Sequence, residues 1–173
     1  YERLFDGAGP EQKVGEISVV YLDSPRAPDR IHKLLPGVRL FASLRNPVDQ
    51  IYSHYWHLKR QNFHIWPVVI SELPANLQQA VERFPDQLIR PARYAEHLSR
   101  WLALFPRECL HLVVYDDIKA APEATVRQLF DFIGVDPAYV LQMLDRNPGK
   151  TMAELKGKLG TAWTSLTMCM TWE

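Results

Sequence analysis

An arginine and a serine eight residues apart could together bind a phosphate. Arg45 follows an apolar run that is typical of a strand, and Ser53 lies two turns into the helix predicted over residues 48–60. The start of a helix offers free N–H groups and a positive dipole end to an anion, and a guanidinium offers a planar fork of donors. The pair predicts an anion site; the alternative is a surface ion pair of Arg45 beside a serine without a role.

Four other side chains could take part in chemistry near such a site. Glu16 could act as a general base, and the alternative is that it ties a strand to a loop. His54 could lie beside an acceptor, although a surface or interhelical hydrogen bond is the simpler interpretation. Arg93 and Tyr94 open a predicted helix and could border an acceptor cleft. We therefore treat Glu16 and His54 as catalytic candidates, and Arg93 and Tyr94 as substrate-binding candidates.

The sequence predicts no metal site. His54 and His57 lie three residues apart without an evident third ligand, and Asp117, which follows a predicted strand, suits a helix cap.

Lys plus Arg and Asp plus Glu both number 20, so the net charge is zero and argues against a strongly basic nucleic-acid binder. No apolar run is long enough for a membrane segment. Any anion site must therefore be local.

The 173 residues suit a single domain, 1–173, in which strands alternate with helices. The predicted strands are residues 17–22, 38–44 and 109–114, and the predicted helices are residues 29–35, 48–60, 75–83, 94–104 and 122–132. This alternation favours an α/β fold with a parallel sheet. Ligands of such sheets bind beyond the carboxyl ends of the strands, where Arg45 stands.

A series of short motifs spans roughly residues 14 to 140. They are Val14-Gly15-Glu16 to Tyr21-Leu22, Pro25-Arg26-Ala27-Pro28-Asp29-Arg30-Ile31, Leu44-Arg45-Asn46-Pro47 to Tyr52-Ser53-His54-Tyr55, Tyr94-Ala95-Glu96-His97-Leu98 with Trp101 and Phe105-Pro106, Tyr115-Asp116-Asp117-Ile118, Pro122, and Phe132-Ile133-Gly134-Val135. In order and spacing they resemble the sulfotransferase superfamily that uses 3′-phosphoadenosine 5′-phosphosulfate (PAPS). The likeness is strongest to bacterial sulfotransferases and to the sulfotransferase domains of the heparan sulfate enzymes.

The resemblance implies a three-layer, P-loop-NTPase-like sheet and a reaction without metal. In it a sulfuryl group passes from PAPS, the co-substrate, to a hydroxyl or amine of a small-molecule or glycan acceptor. It implies that Arg45 and Ser53 grip the 3′-phosphate and that residues 17–20 face the substrate. Ile17 takes the place of a Lys in the heparan enzymes, so no cation meets an acidic sugar there. The likeness to bacterial enzymes implies a cytoplasmic location.

The family binds the 5′-phosphosulfate with a Gly-rich loop that carries a Lys, and no such loop occurs in this sequence. We therefore expect a partial domain, with that loop, the first strand and the usual catalytic Glu upstream of Tyr1, and with residues 146–150 as a remnant of a basic loop. Two alternatives stay open. One is a non-catalytic nucleotide-binding or interaction module of the same fold. The other is another phosphate-handling enzyme such as a small-molecule kinase, which needs a Gly-rich loop with Lys-Ser/Thr and an Asp for Mg²⁺.

Overall fold

The computed structural model describes residues 6–9, 12–60, 64–65, 68–69, 73–138 and 167–172. The strands are β1 (Val14–Ser18), β2 (Arg39–Leu44), β3 (His64–Ile65), β4 (Val68–Val69), β5 (Leu110–Val114) and β6 (Thr167–Trp172). The helices are α1 (Ala27–Leu34), α2 (Pro47–Arg60), α3 (Leu77–Arg83), α4 (Pro85–Leu88), α5 (Tyr94–Leu102), α6 (Tyr115–Ala120) and α7 (Pro122–Ile133). Short 3₁₀ turns cover Arg90–Ala92 and Arg107–Cys109.

The main sheet has the strand order β1-β6-β2-β5. Strands β2 and β5 pair in parallel, whereas β6 runs antiparallel to both β1 and β2. Strands β1, β2 and β5 therefore share one direction, and their carboxyl ends meet at one edge of the sheet. Leu44 is in register with Val114, so the residues that follow them, Arg45 and Tyr115, leave adjacent strands side by side.

Helices cover both faces of β2. Leu40 and Ala42 are buried in the cluster formed with α1 and α5, while Phe41 points to the opposite face and packs against Leu129 of α7. Because neighbouring residues of a strand face opposite ways, a strand covered on both sides reads as a continuous apolar run. The arrangement confirms the predicted three-layer α/β fold. It adds β6 as an antiparallel strand, which the alternation of strands and helices did not predict.

The larger core includes Trp101 of α5, whose side chain is fully buried. Its ring stacks on Phe105 with 5.8 Å between centroids, and its Nε1 donates to the carbonyl of Leu22 at 3.2 Å. Truncating such a residue to Ala costs about 3–5 kcal/mol. A second core lies between α2, α3 and α4 and includes Tyr55 and Leu58.

Local signals set the ends of α2 and α7 as predicted. The Asn46 side chain accepts from the backbone N–H of Val48 at 2.9 Å, and Pro47 occupies the first helical position, where its missing N–H costs nothing. Helix α7 ends at Gly134, whose φ of 75° lies in the left-handed region. These contacts connect residues close in sequence, so they could be predicted without knowledge of the tertiary structure.

The first strand was predicted wrongly at residues 17–22. The structure places β1 at Val14–Ser18 and a turn after it. The reason is tertiary: the carbonyl of Leu22 accepts from Trp101, and the carbonyl of Asp23 accepts from Arg90 and Arg100. Main-chain groups that bond to side chains in this way are not available to a strand ladder.

Candidate functional site

The candidate anion site lies where β2 ends and α2 begins. The side chain of Arg45 is 26% exposed, and its Nε is buried without a hydrogen-bond partner among the described residues. Its Nη2 lies 3.9 Å from Oδ2 of Asp49, which is too long for a hydrogen bond. The guanidinium thus keeps donors available for a ligand, and its planar fork fits a phosphate as well as a carboxylate.

The face of the Tyr115 ring lies against this guanidinium. The Cζ atom of Arg45 is 5.3 Å from the ring centroid, within the range of a cation–π interaction. Sequence reasoning used Tyr115 only as part of a motif and did not place it in the site. Its position follows from the register of β2 with β5, a relation that no local pattern reveals.

Tyr94, the first residue of α5, borders the same site. Its hydroxyl is buried beside the main chain of Arg45. Burial raises the pKa of Tyr94, and the neighbouring Arg45 opposes that rise. The structure therefore brings Tyr94 next to Arg45, and a role of Tyr94 in substrate binding stays a prediction.

Ser53 lies on α2 one turn beyond Asp49, whose carboxylate forms the ion pair with Arg45. Residues four apart on a helix share a face, so the Ser53 hydroxyl lies further along the surface that the guanidinium approaches. The side chain is half-buried, and it makes no hydrogen bond to any described residue. A hydroxyl in this position can donate to a bound anion.

Glu16 is held by a side chain of the turn that follows β1. The Tyr21 hydroxyl donates to a carboxylate oxygen of Glu16. Burial, together with this hydrogen bond and the charge of Glu16, raises the pKa of Tyr21 to about 12. The contact matches the alternative interpretation, in which Glu16 ties strand to loop, and a role as general base stays a prediction.

His54 interacts with the main chain of Gln87 in α4 and with the charge of Asp23 in the turn after β1. Burial and the charge of His57 lower the pKa of His54, while the main chain of Gln87 and the charge of Asp23 oppose the shift. Its ring stacks with that of His57 at 6.5 Å between centroids. The side chain is therefore mostly neutral at pH 7, and its catalytic role stays a prediction.

Two other candidates lie on the surface. Ile17, in β1, is 59% exposed, so its apolar side chain is open to a ligand. Arg93 is exposed and forms an ion pair with Glu96 at 3.7 Å. Residues 146–150, expected as part of a basic loop, lie outside the described residues. A role in substrate binding stays a prediction for Ile17 and Arg93.

A polar network that sequence reasoning missed joins the turn after β1 to α5. Arg90 lies 3.4 Å from a carboxylate oxygen of Asp23, and Arg100 donates to the main-chain carbonyl of Asp23 at 3.1 Å. Arg100 also contacts the buried His97.

No group of three or more potential metal-binding side chains occurs in the described ranges. None of the helices that the structure describes has the length and apolar character needed to span a bilayer.

The chain matches known proteins along most of its length. The sulfotransferase domain family matches residues 31–149. Two bifunctional heparan sulfate N-deacetylase/N-sulfotransferases are similar to it: that of Drosophila melanogaster, 27% identical over 128 residues, and enzyme 2 of Bos taurus, 31% identical over 129 residues. Each alignment covers 70% of this chain but only 12% and 14% of the respective relative.

A solved structure supports the same relationship. The crystal structure of a sulfotransferase from Alicyclobacillus acidocaldarius superposes with a TM-score of 0.64 at 30% identity, over 79% of this chain and 56% of that one. The motif resemblance noted in the sequence is thereby confirmed. With the family match extending over more than half of its residues, the chain belongs to the sulfotransferase domain family.

Proposed function

We propose that this chain binds PAPS at the carboxyl ends of β2 and β5 and directs its sulfuryl group to a hydroxyl or amine of an acceptor. The observation that carries the proposal is the buried, unpartnered Nε of Arg45, which lies where β2 ends and where α2, the helix that carries Ser53, begins. Sulfotransferases of this family generally use PAPS as the donor. The family match favours sulfuryl transfer over the small-molecule kinase alternative.

In this proposal Arg45 and Ser53 hold the 3′-phosphate and do not break bonds. The acceptor oxygen or nitrogen attacks sulfur and forms the new bond. The bond between sulfur and the phosphate oxygen breaks, adenosine 3′,5′-bisphosphate leaves with the electron pair, and the acceptor loses a proton. By analogy with phosphoryl transfer, the protein contributes mainly by positioning groups and stabilising charge. Glu16 and His54 are the candidates for receiving the acceptor proton.

The relatives support a glycan as the acceptor. Two of them are named as heparan sulfate N-sulfotransferases, so a sugar amine is the acceptor group that we propose first. The exposed Ile17 gives the acceptor side of β1 an apolar contact in place of a cation. Comparing N-deacetylated heparan precursor with uncharged amino sugars and phenols as acceptors tests this choice. A cytoplasmic location stays a prediction.

The nucleotide assignment is tested by titration calorimetry of the chain. We expect adenosine 3′,5′-bisphosphate to bind more tightly than adenosine 5′-monophosphate by roughly tenfold to a hundredfold, because a charge-assisted contact contributes about 1.5–3 kcal/mol. Ser53→Ala removes one neutral donor and should weaken only the bisphosphate, by about 0.5–1.5 kcal/mol. The matched control is Ser99→Ala, since the Ser99 hydroxyl bonds to its own helix at Ala95.

Equal affinity for the two nucleotides contradicts the assignment. A chain that prefers the bisphosphate but transfers no sulfuryl group from PAPS to a glycan, amine or phenol acceptor is instead the non-catalytic nucleotide-binding module. Transfer measured with sulfur-labelled PAPS separates these outcomes, because the label appears in the acceptor only if the new bond forms.

A further inference from the structure

The contact between Arg45 and Tyr115 is built into the sheet. Leu44, the last residue of β2, is paired with Val114, the last residue of β5, so Arg45 and Tyr115 are the first residues after the two strands. The Cζ of Arg45 then lies 5.3 Å from the centroid of the Tyr115 ring. Because both residues adjoin a hydrogen-bonded ladder, their main chains have little freedom to move apart.

The guanidinium of Arg45 has few other restraints. Its Nε makes no hydrogen bond within the described part of the chain, and its ion pair with Asp49 spans 3.9 Å. Bidentate recognition of a phosphate requires the plane of the guanidinium to be oriented correctly. A side chain that is already restrained loses less entropy when the ligand binds. The aromatic face of Tyr115 supplies such a restraint.

The face of Tyr115, and not its hydroxyl, makes the contacts. The Nζ of Lys119 also lies over this ring, 4.5 Å from the centroid, and pairs with Asp116 at 2.7 Å. The Tyr115 hydroxyl bonds to no described residue. A phenylalanine at this position would therefore preserve the arrangement.

We propose that Tyr115 is a positioning residue that orients the Arg45 guanidinium for the 3′-phosphate of the nucleotide. The inference rests on the proposed function, since it presumes that Arg45 binds that phosphate. Tyr115 itself touches no reacting atom in this proposal. It acts through Arg45, so its effect should appear in the preference for nucleotides that carry a 3′-phosphate.

The test measures the affinities of adenosine 3′,5′-bisphosphate and adenosine 5′-monophosphate in three variants by calorimetry. Tyr115→Leu should reduce the preference for the bisphosphate by roughly three- to thirtyfold, the range of a cation–π contact between exposed and desolvated settings. Tyr115→Phe should keep the preference within about twofold, since it retains the aromatic face. Tyr52→Leu is the matched control, because Tyr52 is an exposed aromatic residue that contacts Trp56 instead of Arg45.

Two further measurements keep the inference separate from folding and from the proposed function. Pentafluorophenylalanine at position 115 keeps the size of the ring but removes its attraction for a cation, so it should reproduce the loss seen with Tyr115→Leu even if that variant does not fold. In the free protein, the Arg45 Nε–H resonance should be displaced by the ring in wild type and Tyr115→Phe but not in Tyr115→Leu.

The two failures are distinguishable. A wild type that shows no preference for the bisphosphate contradicts the proposed function, whatever the Arg45 resonance shows. A wild type with the preference, retained in full by Tyr115→Leu or by the fluorinated ring, overturns the role of Tyr115 alone.

Discussion

Nη2 of Arg100 lies 2.9 Å from Nδ1 of His97, whose side chain is fully buried. Arginine only donates, so Nδ1 accepts this bond, and the single proton of the neutral imidazole is on Nε2. Nε2 lies 2.7 Å from the main-chain carbonyl of Arg90 and donates to it. Protonation of Nδ1 would place two donors against each other, so the contact holds His97 in the neutral form.

Lowering the pH should therefore destabilise the folded protein through the protonation of His97. Burial, with the charge of Arg100, lowers the pKa of His97, although the Arg90 carbonyl and the charges of Asp23 and Glu96 oppose the shift. The unfolded chain then binds more protons than the folded one, so the free energy of unfolding falls as pH decreases below about 6.5.

Chemical denaturation of wild type and His97→Gln between pH 5 and 8 checks this prediction. The difference in unfolding free energy between the two proteins should be largest at high pH and should shrink toward pH 5. A difference independent of pH would mean that His97 does not titrate with folding. His54 and His111, whose pKa values are also lowered by burial, contribute in the same direction in both proteins and cancel in the difference.

Arg45 should contribute more to the binding of the nucleotide than to the stability of the unliganded protein. Without nucleotide, Arg45→Ala should lose no more than about 1 kcal/mol, because it removes one cation–π contact and one distant ion pair. The thermal stabilisation by adenosine 3′,5′-bisphosphate should nearly vanish, since that shift follows from affinity. Arg45→Lys should restore only part of it.

Thermal melts with and without nucleotide measure both effects, and Arg127→Ala is the control for the loss of a positive charge. Arg127 is bound to Glu123 on α7 and has no contact with Arg45. A lower melting temperature without ligand, combined with an unchanged nucleotide shift, would show that Arg45 is structural.

Gly134→Ala should destabilise the protein by about 1–2 kcal/mol. The φ of Gly134 is +75°, where an L-residue is strained, whereas a Cβ there would meet Arg39 only at an ordinary 3.5 Å. The cost is therefore conformational and not steric. Gly37→Ala is the control, because a Cβ at Gly37 meets nothing within 4 Å and its φ is not positive.

Urea denaturation of the two glycine variants measures this difference. The Gly37→Ala protein should stay within about 0.5 kcal/mol of wild type or gain slightly. Equal losses in both variants would place the effect in the unfolded chain instead of in the turn after α7.

Alkaline titration should detect the contact between Tyr21 and Glu16. The pKa of Tyr21 is raised to about 12, so this phenol should ionise later than an ordinary tyrosine, which does so near 10. Absorbance at the phenolate band should show a high-pH step that Tyr21→Phe removes. If the step lost in that variant lies near pH 10, Tyr21 does not donate to Glu16 in solution.

The local parts of the site and the fold class could be predicted from the amino-acid sequence alone. Arg45, the Asn46 cap, Pro47 and Ser53 lie within one strand end and two helical turns, where spacing alone decides which residues share a surface. Gly134 likewise marks the end of α7 by its own conformational freedom. The alternation of apolar strands and amphipathic helices predicted the α/β layers, because both periodicities are local properties of the backbone.

The identity of the distant residues around Arg45 depends on tertiary contacts. The register of β2 with β5 brings Tyr115 against Arg45, and the packing of α5 brings Tyr94 close to it. Local spacing in the sequence predicts neither of these contacts. The end of β1 could not be predicted from the sequence either, because the carbonyl of Leu22 accepts a hydrogen bond from Trp101, which is distant in the chain. The position of β6 between β1 and β2 could not be predicted either. The sequence pattern of a strand shows which side chains share a face, but it does not specify the strands with which it pairs.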